Sequence, residues 1–476
     1  MMRLGTFSGA FLLASAALLG IPVVANASGS TTVATGDSRT VSQPTVPGVC
    51  APITSGLAAP GNRKFSSGQE SAPPDTARIT AALSKCAGSG KAVELKANGG
   101  DTAFLSGPLT INAGETLLVD SGVTLYASLN AKQYQVSGKP TCGTVASSEG
   151  GCRPFLTVSG ANAAVMGTSV AGSQGRIDGR GDLTIYGGSE SWWQLAQDAK
   201  AQNKQQNDPR LLVASGNNFV LYDIDLLNSP NFHVVFQNAT GFTAWGVRIK
   251  TPASARNTDG IDPSGATDVT IANSYIQDGD DGVAIKGGSA SKNITIRDDH
   301  FYGTHGISIG SETNGGVTNV LVENNTVQGT DSSGITSTSD NGIRIKSDSS
   351  RGGKVSQITY DNTCLSGVKY LLDFDTHYSS STGSKIPYFT DIVVDGARSV
   401  SSASSAESVL DGYSSAYPLG LTLQNVSLDV TKTTAEYAKI GVYNTNITAS
   451  GTGVTVSGVP GSGGVPNCSF PAYPGL

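Results

Sequence analysis

The chain has 476 residues and a net charge of −6, and only 14% of its residues are charged, against about 25% in an ordinary soluble domain. An acidic balance speaks against a nucleic-acid partner, because neutralising phosphates takes a basic surface; it leaves a polyanionic sugar open, since a local cationic site is enough. The 60 glycines are nearly twice the usual share of about 7%, and with many Ser, Thr and Asn they describe a β-protein rich in turns.

Met1-Met2-Arg3, the apolar run Ala10–Gly20 and the small-x-small site Ala25-Asn26-Ala27 have the layout of a secretory signal cut after Ala27. The apolar run is short for a bilayer span, so an exported, membrane-free, monomeric protein is expected. Residues 28–48 are polar and unpatterned and read as a loose arm; residues 49–476 read as one domain. Behind Asp75 as N-cap, Thr76–Cys86 has apolar residues at helical spacing. One such helix would cover the open end of a solenoid.

From Ala92 onward, short runs of Val, Ile, Leu and Thr alternate with Gly, Asn, Asp and Ser turns. Val269-Thr270-Ile271, Ile294-Thr295-Ile296 and Val320-Leu321-Val322 start 25 and 26 residues apart. Strands at that period, without intervening helices, predict an all-β, single-domain parallel β-helix. A sandwich or barrel would not return polar residues at the same phase. Two segments break the period. Ser189–Arg210, with Trp192-Trp193, reads as a partly helical surface excursion, and Gly329–Gly342 reads as a polar loop that stretches the His305–Arg344 interval to 39 residues.

Six cysteines in an exported chain favour disulfides. Many pairings are open; Cys50–Cys86 and Cys142–Cys152 join near neighbours in sequence, and Cys364–Cys468 takes what remains. No Cys-x-x-Cys occurs, so zinc is not expected.

Asp259 is followed 21 and 22 residues later by Asp280 and Asp281, then by His305, Arg344 and Lys346. Residues one period apart on a solenoid are stacked neighbours about 4.8 Å apart, so these side chains should share one surface stripe. Clustered carboxyls suit glycosidic hydrolysis, which needs one acid protonated for the leaving oxygen and one ionised to activate water. Neighbouring strand residues face opposite ways, so Asp280 and Asp281 can both reach a site only from a bend, for which Gly279 and Gly282 stand ready. Taken singly, Asn-Thr-Asp-Gly and Gly-Asp-Asp-Gly are also plain turn chemistry, or a calcium site; stacking with His305 and the two cations argues against both.

Asn257-Thr258-Asp259-Gly260-Ile261-Asp262, Gly279-Asp280-Asp281, His305-Gly306-Ile307-Ser308-Ile309-Gly310 and Gly342-Ile343-Arg344-Ile345-Lys346 resemble, in order, the four signature motifs of the polygalacturonases. The likeness is greatest to bacterial endo-acting members, and extends to Phe104–Leu109, Asn228–Phe236 and the double tryptophan. It implies a right-handed parallel β-helix, a polygalacturonate substrate and no metal or other cofactor. It makes Asp280 the general acid, Asp259 and Asp281 the activators of water, and His305 the residue that tunes the acid. Asn257, Arg344, Lys346 and Tyr378 would bind substrate, Arg344 as a bidentate fork and Lys346 as a point charge. The chain departs from the family at Thr304, where glycine is usual, at Gly282, where cysteine is common, and in the long segment before Arg344. His233, His300 and His377 read as structural or surface histidines.

The runner-up activity is a pectate lyase; a non-catalytic sugar-binding β-helix would be weakened by acids facing an anionic ligand. Rhamnogalacturonan hydrolysis is the nearest alternative in specificity, and the Arg344/Lys346 pair favours homogalacturonan. Endo attack is expected because no extra N-terminal domain appears and the groove can stay open at both ends. On stereochemistry two lines conflict: adjacent coils set carboxylates about 5 Å apart at the backbone, a retaining spacing, whereas the resemblance implies inversion. Three acids allow Asp259 and Asp281 to hold one water jointly, and inversion is the expectation.

Overall fold

A computed structural model describes residues 35–337 and 339–476; the expected signal segment and the start of the arm lie outside them. Among the described residues the chain winds as a parallel β-helix whose strands form one 25-stranded sheet and one 11-stranded sheet, beside a separate two-stranded pair. The period read from the sequence belongs to the larger sheet, where Val269, Ile294, Val320 and Ile358 are register partners in turn. The 11-stranded sheet carries the polar stripe. Seven of its strands matter below: β1 (Ile261–Ser264), β2 (Val283–Ile285), β3 (Ile307–Gly310), β4 (Asn341–Lys346), β5 (Tyr370–Asp375), β6 (Glu407–Asp411) and β7 (Thr433–Glu436). They stack in chain order.

The register is fixed from inside. Ile261, Val283, Ile307 and Ile343 pair in succession and are all at most 1% exposed. A one-residue slip would turn this column, worth about 2 kcal/mol per side chain, toward solvent. Phe236, Phe242 and Phe219 extend the core as stacked rings 4.9 and 5.4 Å apart. At the turns, Asn293 and Asn319 take left-handed backbone angles (φ 59° and 56°), which Asn tolerates better than most residues. Their amides also stack: Asn319 donates to Asn293 at 2.8 Å and Asn293 to Asp268 at 2.9 Å.

The predicted helix is present as α2 (Thr76–Cys86), behind an unforeseen short α1 (Ser67–Ser71), and it buries Ile79, Leu83 and Cys86 against the first strands. Asp75 precedes it but gives no side-chain cap. Its carboxylate accepts instead from the Leu105 N–H (2.7 Å) and Arg78 Nε (2.6 Å). The excursion holds α3 (Trp192–Ala201). The arm is not loose from Thr35 onward: the Asp37 N–H donates to Thr295 (2.9 Å), Arg39 to the Phe242 carbonyl (2.7 Å) and Gln43 to Tyr222 (2.8 Å). A polar segment lies flat because the outer face of the sheet offers it Thr, Asn and Tyr partners. The C-terminal tail likewise runs back over the larger sheet, with the Tyr473 hydroxyl on the Ile249 carbonyl at 2.8 Å. Among the described residues no helix is long and apolar enough to cross a membrane.

The three disulfides are Cys50–Cys86, Cys142–Cys152 and Cys364–Cys468. The last closes 104 residues and ties the tail to a late coil; a loop of that length predicts about 5 kcal/mol of stabilisation. Cys364→Ser/Cys468→Ser should therefore lower the melting temperature by several degrees and expose the tail to proteolysis. An unchanged melt with a protected tail would show that the tail's polar contacts alone hold it.

Candidate active site

Two residues before the inner column stand Asp259, Asp281 and His305, held by the Ile261–Val283–Ile307 register. The true stacking partner of Asp259 is thus Asp281, and the Gly260 N–H donates to the Asp281 carbonyl at 2.9 Å. Asp280 sits one step off the column yet reaches the same place through the expected bend. Both flanking glycines are sterically required: a Cβ at Gly279 would stand 2.0 Å from the Ala255 carbonyl oxygen, and one at Gly282 2.5 Å from Phe301 Cδ1. A cysteine at 282 therefore has no room in this chain. Around His305, the positive φ values fall on Gly303 (64°) before it and Gly306 (90°) after it, so Thr304 costs no backbone freedom. Its hydroxyl accepts from the Gly306 N–H at 3.1 Å.

Alternation then puts every second strand residue on the outer face. One outward column runs Asp262, Ala284, Ser308, Arg344, Asp373; its neighbour runs Ser264, Lys286, Gly310, Lys346, Asp375. Lys346 Nζ lies 2.8 Å from Asp281 Oδ2, and Arg344 Nη1 is 3.6 Å from Asp281 Oδ1. Ser308 Oγ donates to Asp281 at 2.7 Å, and Arg344 Nε is held by Asp373 at 3.0 Å. His305 Nδ1 is 3.0 Å from Asp280 Oδ1, and Asn257 Nδ2 donates to Asp280 Oδ2 at 3.3 Å. The Tyr378 ring, 41% exposed, covers both cations, with Arg344 Cζ at 5.3 Å and Lys346 Nζ at 5.0 Å from its centre. All eight residues singled out in the sequence are therefore brought together.

The acids divide by environment. Burial, with Asp262 and Asp280 nearby, pushes the Asp259 carboxyl well above its usual range. Burial does the same to Asp278 and lifts Asp262 to about 6 against the pull of Lys286. Burial also pushes on Asp280, but the His305 imidazole, with Lys346 and Lys286, outweighs it and holds that carboxyl far below the usual range. Asp281 is likewise held down, against burial, by Lys346 and Arg344. One oxygen or nitrogen from each of Asp280, Asp281 and His305 lies within 4.8 Å of the others, a set that could hold a cation, although Lys346 and Arg344 already answer the charge of Asp281.

Sequence reasoning missed Lys286, Asp262, Asp278, Asp373 and Phe232. Lys286 Nζ lies 3.5 Å from Asp259 and 3.3 Å from Asp262, over the Phe232 ring at 4.9 Å. The alternation Val283-Ala284-Ile285-Lys286 was the available signal, since Lys286 is two residues beyond an outward-facing Ala284. His233 and His300 are structural, as expected. His233 is fully buried, with Nδ1 3.1 Å from the Thr258 and Asp259 carbonyls and Nε2 2.9 Å from Thr251 Oγ1. His300 bonds Thr326 at 2.9 Å, while His377 stacks on Tyr413 at 5.0 Å. The 329–342 loop is anchored by the Asp331 carboxylate, which accepts from the Ala253 N–H at 3.1 Å, just ahead of Asn257.

Fold and site together define a polysaccharide hydrolase on a right-handed parallel β-helix. Residues 93–449 match the model of glycosyl hydrolases family 28, and the chain belongs to that family. It is 41% identical over 397 residues to an endo-polygalacturonase of Pectobacterium carotovorum subsp. carotovorum, covering 82% of this chain and 90% of the relative. A polygalacturonase of Ralstonia solanacearum is 38% identical over 459 residues, covering 83% and 84%. The solved polygalacturonase from Erwinia carotovora ssp. carotovora superposes with a TM-score of 0.74 at 38% identity, over 88% of this chain and all of that one.

His233 gives this site a pH signature. Burial lowers its pKa from 6.5 to about 4. Between those values the unfolded chain binds a proton that the folded chain refuses, so stability from this group is complete above pH 6.5 and is lost as pH falls toward 4, by about 3 kcal/mol in all. His233→Gln should flatten that fall relative to the native chain in melts taken from pH 7 to pH 4. Parallel curves would mean that His233 is charged in the fold.

Proposed function

We propose that this chain is a secreted, monomeric endo-polygalacturonase, released after Ala27, that hydrolyses the α-1,4 bonds of homogalacturonan with inversion. The observation that carries the reading is the contact of one acid set with one cation pair: Asp281 sits on Lys346 at 2.8 Å beside Arg344, under an exposed tyrosine. A neutral glycan would need no such pair next to the acids; a galacturonate carboxylate would. The two bacterial relatives named as polygalacturonases, one of them as an endo-enzyme, support the same substrate and mode.

In the proposed reaction the substrate carboxylate sits on Arg344 and Lys346 below Tyr378. Asp280 donates the proton to the leaving oxygen. In the free site burial raises the Asp280 carboxyl, but His305, Lys346 and Lys286 together hold it low; a bound substrate carboxylate cancels the charge of Lys346 and makes Asp280 easier to protonate. Asp281, held down in the free site by Lys346 and Arg344 and bonded by the Ser308 hydroxyl at 2.7 Å, takes the proton of the attacking water. Asp259 Oδ1 has no hydrogen-bond partner among the described residues and supplies the second hold on that water. Lys286, 3.5 Å from Asp259 and 3.3 Å from Asp262, offsets the repulsion between these two carboxyls.

The purified enzyme should release reducing ends from polygalacturonate, with mixed-length early products and no ultraviolet absorbance from unsaturated ends. Unsaturated product would make it a lyase, and monomer alone from the start would make it exo-acting. Asp280→Asn removes the transferable proton at constant shape and should cost 10²–10⁴-fold in kcat, about the usual worth of a general acid. A loss of only about 10-fold would move the acid role to Asp259.

A further inference from the structure

The larger sheet carries a hollow that the chemistry above does not use. Strands Thr240–Trp245, Arg248–Lys250 and Tyr275–Gln277 supply its floor. Ala244, Val247, Ile249 and Ile276 point into the core, each 0% exposed, so alternation turns Trp245, Arg248 and Tyr275 outward. The walls come from three segments outside the coils. A short hairpin that pairs Ser169 with Gln174 stands on one side. The N-terminal arm contributes Gln43, whose amide donates to the Tyr222 hydroxyl at 2.8 Å. The C-terminal tail contributes Pro474, next to the bond from the Tyr473 hydroxyl to the Ile249 carbonyl. The space between them is about 430 Å³, inside the range of about 300–1,000 Å³ usual for ligand sites.

The lining has aromatic faces and polar groups but no cation to spare. Trp245 and Tyr275 are both partly exposed. Arg297 backs the indole, with Cζ 5.6 Å from its centre, and is itself answered by Glu323 in the next coil. Arg248 is fully engaged: it holds both Asp225 oxygens, at 2.6 and 2.9 Å, and the Gly172 carbonyl at 2.8 Å. Asp223 has only the Tyr222 hydroxyl and that paired guanidinium near it, so the lining leans negative.

Several polar groups around the same space lack partners. Gln174 is 8% exposed and donates through Nε2 to the Gly246 carbonyl at 3.1 Å, while its Oε1 has no partner among the described residues. The exposed Asn273 amide and the Trp245 indole N–H also make no hydrogen bond among the described residues. Buried polar atoms are nearly always satisfied, and these groups border one hollow. An anion would meet Asp223 with no free cation to offset it. A neutral sugar ring fits better: its C–H face covers an aromatic ring, its hydroxyls meet the amides, and a hydroxyl that donates to Asp223 makes a charge-assisted bond.

We propose that this hollow is a second carbohydrate site that takes a neutral pyranose glycan, and so holds the protein on neutral chains while the cleft works elsewhere. It stands independently of the polygalacturonase reading, because none of its residues lies on the 11-stranded sheet that carries the acids.

Calorimetric titration of the protein with cellotetraose and with β-1,4-galactotetraose tests the site. At least one should bind, with a Kd of about 1 mM or below. Trp245→Ala should weaken that binding about 10-fold through loss of a stacking ring. Asn273→Gly should weaken it several-fold; glycine accepts the left-handed backbone of that residue (φ 55°), so this variant keeps the fold. Neither variant should change reducing-end release from soluble polygalacturonate, and neither oligosaccharide should inhibit it. No binding of either probe up to about 10 mM, binding unchanged in both variants, or competitive inhibition by the bound oligosaccharide would overturn the site.

Discussion

Five aspartates, Asp259, Asp262, Asp278, Asp280 and Asp281, are packed where burial penalises every ionised form, and they can coexist only because Lys286, Lys346, Arg344 and His305 stand among them. An uncompensated carboxylate in such a place costs several kcal/mol, or takes up a proton instead. The cations decide which outcome each acid has. Asp281 and Asp280 lie against Lys346 and His305 and stay ionised, while Asp259 and Asp278, less well served, have a raised affinity for protons. A set of chemically identical side chains thus acquires different protonation states from position alone, which is the condition for acid and base to operate in one site.

The same cations are also the natural partners of an anionic substrate. Arg344 and Lys346 are buried to the extent that each is 6% exposed, so a carboxylate that reaches them meets charges only weakly screened by water. On the proposed reading, substrate binding and acid activation are one event, because the arriving carboxylate takes charge away from Asp281 and Asp280 and makes the latter easier to protonate. A neutral or esterified sugar would bind without that effect. Specificity for the free acid would then be felt in turnover as well as in affinity.

Much of this was legible in the chain. The regular 25- and 26-residue spacing of Val269, Ile294 and Val320 announced the coils, since in-register stacking of β-branched side chains imposes a period on the sequence. The catalytic candidates were found by motif and by spacing. The finer register was not: the strands of the site sheet follow one another at intervals of their own, so Asp259 falls on Asp281 rather than Asp280. Lys286 and Asp278 went unnoticed, and Asp262 stood in a motif without a role, because single charged residues near turns look like ordinary surface, and their burial depends on how neighbouring coils close over them. The arm from Thr35 was misjudged for a related reason. Polar sequence reads as loose, and only the outer face of the sheet, with Thr295, Asn319 and Tyr222, supplies the partners that hold it.

The roles proposed for the acids converge on stereochemistry. Asp280 and Asp281 have oxygens within 4.8 Å of each other, and a pair at about 5 Å would by itself suggest a covalent intermediate and retention. In the proposed reaction Asp281 faces a water instead of the sugar, with Asp259 as the second hold on it. Proton NMR during the first moments of polygalacturonate hydrolysis, before mutarotation, distinguishes the two. The account predicts that new reducing ends appear first in the β configuration; α ends appearing first would contradict it and make one of the aspartates a nucleophile.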